Sequence, residues 1–195
     1  MLEEKQNGDS LRPDPNRISF RRLRTPDLPP VHRWLNEPHV ARWWYGEGSS
    51  YREVEEEYVP YIEGQEPVEP YLILHGGTPI GYVQTYPISH DAQYARLVRV
   101  DDSAGVDLFI GEERFLYRGL GSRILRRFLE EVVFADEGVE VCVIGPEPKN
   151  TAAIRAYEKA GFRYLKTIHV PGEPEPEYLM TISREEVLAG DDATS

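Results

Sequence analysis

The sequence predicts a single α+β domain in which helices flank a mixed central sheet of about six or seven strands. Two observations predict this class. Residues 71–86 form two apolar runs joined by the turn residues His75–Pro79, a pattern that predicts an antiparallel hairpin. Residues 106–160 alternate strand, helix, strand and helix, and such a run places its two strands parallel. One sheet with both kinds of pairing is therefore expected.

The folded domain is expected to span residues 17–186. The chain has 195 residues, 40% of them hydrophobic and 11% aromatic, which is enough for one sizeable core. Residues 1–16 are polar and contain two prolines, and residues 187–195 end in small and acidic residues. We therefore expect a flexible tail at each end.

The first part of the domain is predicted to contain one strand and three short helices. Alternating apolar and polar residues from Arg17 to Arg24 predict the strand. Thr25 followed by Pro26 indicates a helix start, with Thr25 as the N-cap. Pro60 should kink or end the last helix, because proline lacks a backbone N–H. The helices are expected over residues 28–36, 38–44 and 51–63.

The rest of the domain is predicted to contain six strands and two longer helices. Residues 89–102 form a polar stretch that predicts a long loop with a short helix, and such loops often carry binding groups. Gly161 should end the second long helix as its C′ residue. The strands are expected at 71–74, 80–86, 106–110, 139–144, 162–170 and 177–182, and the helices at 120–134 and 150–160.

Composition restricts the classes of partner. The formal net charge of −12 argues against general nucleic-acid binding, which needs a basic surface, and favours a cationic small molecule. The alternative is a merely soluble acidic protein. The sequence contains no apolar run of about 18 residues, so no membrane span is expected. A monomer or a homodimer is expected.

The cysteine and histidine content predicts neither disulfides nor metal sites. Cys142 is the single cysteine, so no internal disulfide can form, and a reducing cytoplasm is the expected location. It stands in the apolar run 139–144, which favours core packing over a nucleophilic role. The five histidines show no metal-ligand spacing, and no metal is predicted.

A glycine-containing loop precedes the most amphipathic helix. Residues 118–122 are Arg-Gly-Leu-Gly-Ser. Glycines allow a tight turn and a close approach of the backbone to a ligand, and the first N–H groups of a helix point outward. That combination suits a phosphate group, although a plain tight turn has the same pattern. The spacing matches neither a P-loop nor a dinucleotide-binding fingerprint.

A second segment, Asn150 to Phe162 (NTAAIRAYEKAGF), completes a recognisable pair. Together the two segments resemble the acetyl-CoA-binding core of the GNAT-fold N-acetyltransferases, whose Gln/Arg-x-x-Gly-x-Gly/Ala loop holds the CoA pyrophosphate. Gly119 and Gly121 match this pattern, whereas Leu116 does not. The resemblance implies the GNAT acyltransferase fold and acetyl-CoA as cosubstrate. It implies cofactor contacts from Leu108, Phe109, Ile110, Tyr117, Arg118, Gly119, Leu120, Gly121, Ser122 and Asn150.

Asp107 is the first candidate catalytic residue. Aspartate is disfavoured inside strands, so it is either an aspartate at the start of the strand, bonded to a loop, or a functional group. A carboxylate near a thioester can take the proton from an attacking amine, directly or through water. Gly105-Val106-Asp107 resembles the Gly-Ile/Val-Asp segment of the aminoglycoside 6′-N-acetyltransferases. That resemblance implies that Asp107 is the general base, acting in direct acetyl transfer.

Tyr157 is the second candidate. It shares an apolar helix face with Ala153, Ile154 and Ala160, so a core tyrosine is the alternative. The Asn-x-x-Ala-x-x-x-Tyr spacing from Asn150 matches the GNAT pattern, which implies that its phenol protonates the departing CoA thiolate. Asn150 should also cap its helix.

Aromatic residues further upstream extend the resemblance over residues 17–182. The segment from Trp34 to Trp44 is similar to the Trp-Leu-Asn…Trp-Trp segment of the aminoglycoside group. Adjacent tryptophans cannot share one helix face, and an exposed indole suits an aminosugar ring. Carboxylates for the amines are expected from Asp101, Asp102, Glu177 or the run Glu53–Glu57. The predicted acceptor-binding set is Trp43, Trp44, Tyr82, Gln84, Asp107 and Glu177.

Two features depart from the aminoglycoside pattern. Some members carry an acidic residue where this chain has Gly145, and the loop 87–104 matches poorly. A siderophore-type lysine N-acyltransferase and a peptide N-acyltransferase therefore stay open, as does a non-catalytic CoA-binding sensor. The siderophore enzymes typically carry histidine at the position of Asp107, which favours the aminoglycoside reading.

Overall fold

A seven-stranded sheet carries the fold in the computed structural model, which describes residues 13–44 and 48–189. The strands are β1 (Ile18–Arg22), β2 (Glu69–His75), β3 (Thr78–Pro87), β4 (Ser103–Ile110), β5 (Val141–Ile144), β6 (Arg163–Ile168) and β7 (Glu177–Ser183). Their order across the sheet is β1-β2-β3-β4-β5-β7-β6. β4 and β5 are parallel and all other neighbours are antiparallel, which confirms the predicted mixed sheet.

Helices cover both faces of this sheet. They are α1 (Leu28–Leu35), α2 (Pro38–Trp44), α3 (Tyr51–Ile62), α4 (Ala92–Val98), α5 (Leu120–Glu131), α6 (Thr151–Ala160) and α7 (Arg184–Leu188). Side chains alternate between the two faces along each strand. Tyr82 and Phe109 therefore pack in the cluster formed with α1 and α3, whereas Val83 and Val106 pack in the cluster formed with α5.

The start of α1 differs from the prediction. Residues Thr25–Asp27 form a 3-10 turn, and α1 begins at Leu28. The predicted N-cap role of Thr25 is therefore wrong. The Asp27 carboxylate instead accepts from the Arg24 backbone N–H at 2.9 Å and from the Arg21 guanidinium at 2.8 and 2.9 Å. An aspartate that can bond both groups competes successfully with the threonine for the turn.

The ends of several other elements also shift. Pro60 lies in the last turn of α3, which ends at Ile62. Gly161 has φ 106° and ends α6, as predicted. The helix α7 was not predicted, although Ser183 and Glu186 form a capping box at its start, a Ser-x-x-Glu signal that is visible in the sequence.

The expected tails are only partly described. Residues 1–12 and 190–195 lie outside the described residues. Pro15–Arg17 form a 3-10 turn, the Asp14 carbonyl bonds His75 Nε2 at 3.0 Å, and the Asn16 carbonyl accepts from Arg127 at 3.3 Å. The segment just before residue 17 is therefore hydrogen-bonded to the domain.

The parallel pair separates along its length. Pairing between β4 and β5 joins Ser103–Gly105 to Val141–Val143. Beyond Gly105, β4 continues to Ile110, and in the described part of the chain this stretch is paired only with β3. The sheet therefore opens between the two strands, and backbone groups of β4 face the opening.

Candidate active site

The opening between β4 and β5 leads into a large cleft with a volume of about 1140 Å³. One part of its lining, here called the glycine-loop end, comprises Leu116, Tyr117, Gly119, Leu120, Gly121, Ser122 and Asn150. Another part, here called the carboxylate end, comprises Trp43, Trp44, Gln84, Tyr86, Tyr94, Asp107 and Glu177. Leu108, Phe109, Ile110 and Tyr157 also line the cleft. Residues distant in sequence are thus brought to one site.

The glycine-loop end has the backbone geometry of an anion site. Tyr117 has φ 56° and Gly119 has φ 77°, so the chain turns through two left-handed residues before α5. No side chain caps the first turn of α5, whose N-cap is Gly119. A Cβ added to Gly119 would meet no atom of the described residues within 4 Å, so these residues leave the space beside the loop open. The first N–H groups of α5 can therefore reach an anion.

The second glycine has a different role. Gly121 lies within α5, and a Cβ there would stand 3.6 Å from the Cβ of Ala156 in α6. The contact would be an ordinary van der Waals distance. Gly121 therefore lies at the contact of α5 with α6 without being required by it, whereas Gly119 is required by the turn.

Asp107 lies at the centre of the carboxylate end. It is half-buried on β4, opposite Gln84 of β3 in the sheet register. Gln84 Nε2 donates to Asp107 Oδ2 at 3.0 Å, and the Tyr82 hydroxyl donates to Gln84 Oε1 at 2.7 Å. Because Tyr82 engages the amide oxygen, the amide nitrogen of Gln84 is turned toward the carboxylate. The chain of donors fixes the position of Asp107.

Burial raises the pKa of Asp107 above its ordinary value, and hydrogen bonds from Gln84 and Tyr86 oppose that shift. Tyr86 lies over Gly105, where an added Cβ would stand 2.4 Å from the tyrosine ring. Glycine at 105 therefore makes room for Tyr86 beside Asp107. A carboxylate of raised pKa is a stronger base than an exposed one, which suits proton removal from an ammonium group.

A second carboxylate faces the same end of the cleft. Glu177 is half-buried at the start of β7, and the Tyr94 hydroxyl of α4 donates to its Oε2 at 2.6 Å. Burial raises the pKa of Glu177, and the nearby Asp107 and Glu173 carboxylates raise it further, against a lowering by Tyr94. The acidic lining makes the carboxylate end attractive to cations.

Tyr157 occupies both of its predicted environments. Its ring packs on the core beside Phe162, with centroids 6.3 Å apart, and the residue also lines the cleft. Burial raises the pKa of its phenol, and the charge of Asp107 raises it further. The hydroxyl is therefore protonated at neutral pH and can serve as a proton donor. At the start of α6, Asn150 Oδ1 accepts from the Ala153 N–H at 3.2 Å, so Asn150 is the predicted cap.

The aromatic residues divide between wall and core. Trp43 and Trp44 are both half-buried and line the cleft. Trp44 packs edge-on against Phe109 at 4.9 Å, and the Arg42 guanidinium lies 5.1 Å from the Trp43 ring. Tyr82 is 0% exposed and lies behind the wall, so it contacts Gln84 rather than the cleft.

Some predicted residues lie elsewhere. Arg118 is exposed and is not among the residues that line the cleft. Its contact with the cofactor, which the resemblance implies, stays a prediction. Asp101 and Asp102, offered as carboxylates for the acceptor, border a separate depression of about 1090 Å³. They do not join Asp107 and Glu177.

Sequence reasoning missed the roles of Tyr86 and Tyr94. Tyr86 could have been found, because Tyr82, Gln84 and Tyr86 alternate along β3 and so share one face. Tyr94 meets Glu177 across 83 positions of sequence. That contact depends on how α4 lies against β7, and no local sequence pattern predicts it.

Cys142 is a buried free thiol in β5, and burial raises its pKa, which matches the predicted core role. Within residues 13–44 and 48–189, no group of three or more His, Cys, Asp or Glu side chains could hold a metal ion. Within the same ranges, no helix is both long and apolar enough to cross a membrane.

Known proteins share both the sequence and the fold. Residues 24–170 match the family model described as "Acetyltransferase (GNAT) domain". The aminoglycoside N(6′)-acetyltransferase type 1 of Klebsiella pneumoniae is 34% identical over 160 residues, which make up 80% of this chain and 79% of that protein.

Solved structures agree. The aminoglycoside acetyltransferase AAC(6′)-Ib in complex with coenzyme A has a TM-score of 0.81 at 31% identity, covering 89% of this chain and 99% of that chain. Its complex with coenzyme A and kanamycin has a TM-score of 0.79 at 32% identity, with the same coverage of 89% and 99%. The chain therefore belongs to the GNAT acetyltransferase family, in the group that contains the aminoglycoside N(6′)-acetyltransferases.

Proposed function

We propose that this protein transfers an acetyl group from acetyl-CoA to the 6′-amine of aminoglycosides, with Asp107 as the general base. The observation that carries the proposal is the Gln84–Asp107 pair, which sets an oriented, half-buried carboxylate in the same cleft as a helix N-terminus open to an anion. One part of the cleft suits a phosphorylated donor, and the other suits a cationic acceptor.

The glycine-loop end fits the pyrophosphate of CoA. Gly119 leaves open space beside the first turn of α5, and the backbone N–H groups of residues 119–122 can bond phosphate oxygens. The rest of the donor would be held by Asn150 and by the part of β4 beyond Gly105, which is paired with β3 on one side and faces the opening on the other. Backbone N–H groups of Leu108, Phe109 or Ile110 are suited to polarise the thioester carbonyl.

Asp107 acts on the acceptor amine. An ammonium group must lose a proton before its nitrogen can attack the thioester carbon. The Asp107 carboxylate accepts that proton, directly or through water, and Gln84 keeps its oxygens in place. The C–N bond then forms as the C–S bond breaks.

Tyr157 completes the proton balance. Its phenol, which stays protonated in this environment, donates a proton to the departing sulfur. The nitrogen loses a second proton as the amide forms, and that proton restores the phenol directly or through water, while the proton on Asp107 passes to solvent as the net proton released. No covalent acyl-enzyme is needed, because the amine attacks the donor directly. The buried Cys142 in β5 takes no part.

The wall of the carboxylate end suits an aminosugar. Trp43 and Trp44 present indole surfaces to the cleft, and sugar rings have apolar C–H faces that pack on such surfaces. Asp107 and Glu177 supply negative charge for the amines. A cationic acceptor of this class meets both requirements at once.

A thiol-release assay with acetyl-CoA tests the proposal. The acceptors are kanamycin A, a lysine-type hydroxamate precursor and a panel of peptides, and the product is located by NMR. We expect saturable release with kanamycin A and one acetyl group at N6′. Release only with the precursor or the peptides would overturn the aminoglycoside assignment. Bound CoA without release from any acceptor would indicate a sensor instead.

A further inference from the structure

Among the cleft residues, Glu177 has a carboxylate that occupies the space in which a side chain at position 145 would lie. Gly145 directly follows β5, and β5 pairs with β7, which begins at Glu177. A Cβ added to Gly145 would stand 2.5 Å from Glu177 Oε2, a distance that real Cβ contacts do not reach. Any other residue at 145 would displace the carboxylate, so the glycine is what allows Glu177 to occupy this position.

A hydrogen bond fixes the same carboxylate oxygen. Tyr94 donates to Glu177 Oε2 at 2.6 Å, and Tyr94 is itself fixed because the Asp91 carboxylate caps α4 by accepting from the Gln93 and Tyr94 N–H groups at 2.7 and 3.0 Å. The Glu177 carboxylate is therefore preorganised in the wall of the cleft before any ligand arrives.

Within residues 13–44 and 48–189, this carboxylate has no basic partner. Among the salt bridges between described residues, none involves Glu177 or Asp107. Two half-buried carboxylates close enough to influence one another thus share one end of the cleft. Such a pair is unfavourable in the free protein, and a ligand with two positive charges would relieve the repulsion.

We propose that Glu177 is a second acceptor-binding carboxylate, which selects acceptors that carry another ammonium group close to the amine that reacts at Asp107. This inference rests on the proposed function and deepens it. Asp107 receives the reacting amine, and Glu177 binds its neighbour. Glu177 is thus a specificity-determining residue, and its loss should weaken acceptor binding more than chemistry.

Kanamycin A and kanamycin B provide the test, because they differ only in a hydroxyl or an amine at C2′. The wild-type protein should prefer kanamycin B by kcat/KM. In Glu177→Gln, which keeps the shape and an acceptor for Tyr94, that preference should fall roughly tenfold, since an ionic hydrogen bond becomes a neutral one. The change should appear in KM for kanamycin B, with KM for acetyl-CoA unchanged.

A transposed carboxylate sharpens the test. The Cβ of residue 145 points at the Glu177 carboxylate, so Gly145→Asp combined with Glu177→Ala returns a carboxylate to nearly the same place from the adjacent strand. We expect this pair to recover the preference that Glu177→Ala alone loses. Glu140→Gln, an exposed carboxylate outside the cleft, serves as the charge-matched control and should change nothing.

The outcomes separate the two proposals. If the wild type acetylates neither kanamycin, the proposed function fails. If it acetylates both, and Glu177→Gln changes kcat/KM for the two kanamycins equally, Glu177 does not recognise a second amine and the further inference is overturned. A transposed pair that restores nothing, while its KM for acetyl-CoA shows an intact fold, would likewise overturn the location of the subsite beside Gly145.

Discussion

The chemistry proposed for Asp107 depends on contacts that can be altered one side chain at a time. Asp107 lies within a strand, where aspartate is disfavoured, and burial raises its pKa. A charged group in that position lowers the free energy of unfolding. Hydrogen bonds from Gln84 and Tyr86 orient it and offset part of that cost. The negative charge that proton removal requires at Asp107 is therefore the same charge that lowers the stability of the fold.

The replacement Asp107→Asn separates these effects. We expect kcat to fall by about 10²–10⁴-fold, the usual contribution of a general base, with binding of acetyl-CoA retained. The melting temperature should not fall, because the amide removes a desolvated charge while keeping the shape. Thiol release, calorimetric titration with CoA and a thermal melt measure the three quantities. Turnover close to that of the wild type would remove Asp107 from the mechanism.

Gln84 is expected to set the position of the acidic limb in the pH profile of kcat/KM. Asp107 works only when ionised, so kcat/KM should decline as pH falls through the pKa of Asp107. The Gln84 hydrogen bond lowers that pKa. Gln84→Met removes the donor at similar size, the pKa of Asp107 rises, and the acidic limb of the pH profile should move to higher pH.

Tyr82→Phe is the matched control for that profile, since it removes only the hydroxyl that orients the Gln84 amide. It should move the acidic limb in the same direction and by less. An acidic limb that stays at the same pH in Gln84→Met would show that another group controls proton removal.

At the scale of the element, the two glycines at the start of α5 are under different constraints. Gly119 has φ 77° with open space beside it, so its requirement is the left-handed turn. Gly121 lies within α5, where a Cβ would stand at an ordinary van der Waals distance from Ala156, so neither its conformation nor the packing of α5 on α6 requires glycine. The sequence motif makes the two look equivalent, and the structure shows that they are not.

Alanine at each glycine distinguishes the two positions. Gly119→Ala should lower the free energy of unfolding by about 1–2 kcal/mol, the cost of a left-handed residue with a Cβ. Its KM for acetyl-CoA should rise because the loop relaxes away from that turn. Gly121→Ala should leave the free energy of unfolding unchanged or raise it, since a Cβ fits 3.6 Å from Ala156. Urea unfolding and acetyl-CoA saturation curves measure both. Equal destabilisation by the two changes would contradict the distinction.

At the scale of the whole molecule, local signals in the sequence were sufficient for the sheet and for much of the site. The βαβα run predicted the parallel pair, and the resemblance around Gly119 and Asn150 implied the cofactor side. Asp107 was singled out as a candidate because an aspartate in an apolar strand is unusual, and the structure places it in the cleft. The glycine loop, the segment from Asn150 and Asp107 are each recognised from short runs of sequence, and the βαβα pattern lies in the continuous stretch 106–160.

The rest depends on contacts between distant segments. Tyr94 reaches Glu177 across 83 positions, and Trp34 donates to Glu112 across 78. Whether Tyr82 faces the cleft or lies behind it follows from the packing of α1 and α3, which alternation along one strand does not determine. Gly145 appeared to be a departure from the aminoglycoside pattern, and only the pairing of β5 with β7 shows what it accommodates.

The net charge of the molecule predicts opposite responses of its two substrates to salt. A protein of charge −12 attracts a polycationic acceptor and repels an anionic donor such as CoA. Raising NaCl from about 20 mM to about 300 mM shortens the screening length from roughly 20 Å to below 10 Å. KM for kanamycin A should therefore rise, by roughly threefold or more, while KM for acetyl-CoA stays level or falls. Initial rates at both salt concentrations, with the other substrate saturating, measure the two values. If both rose together, salt would be acting on the fold or on a shared step rather than through the acidic surface, and the electrostatic account of acceptor capture would be wrong.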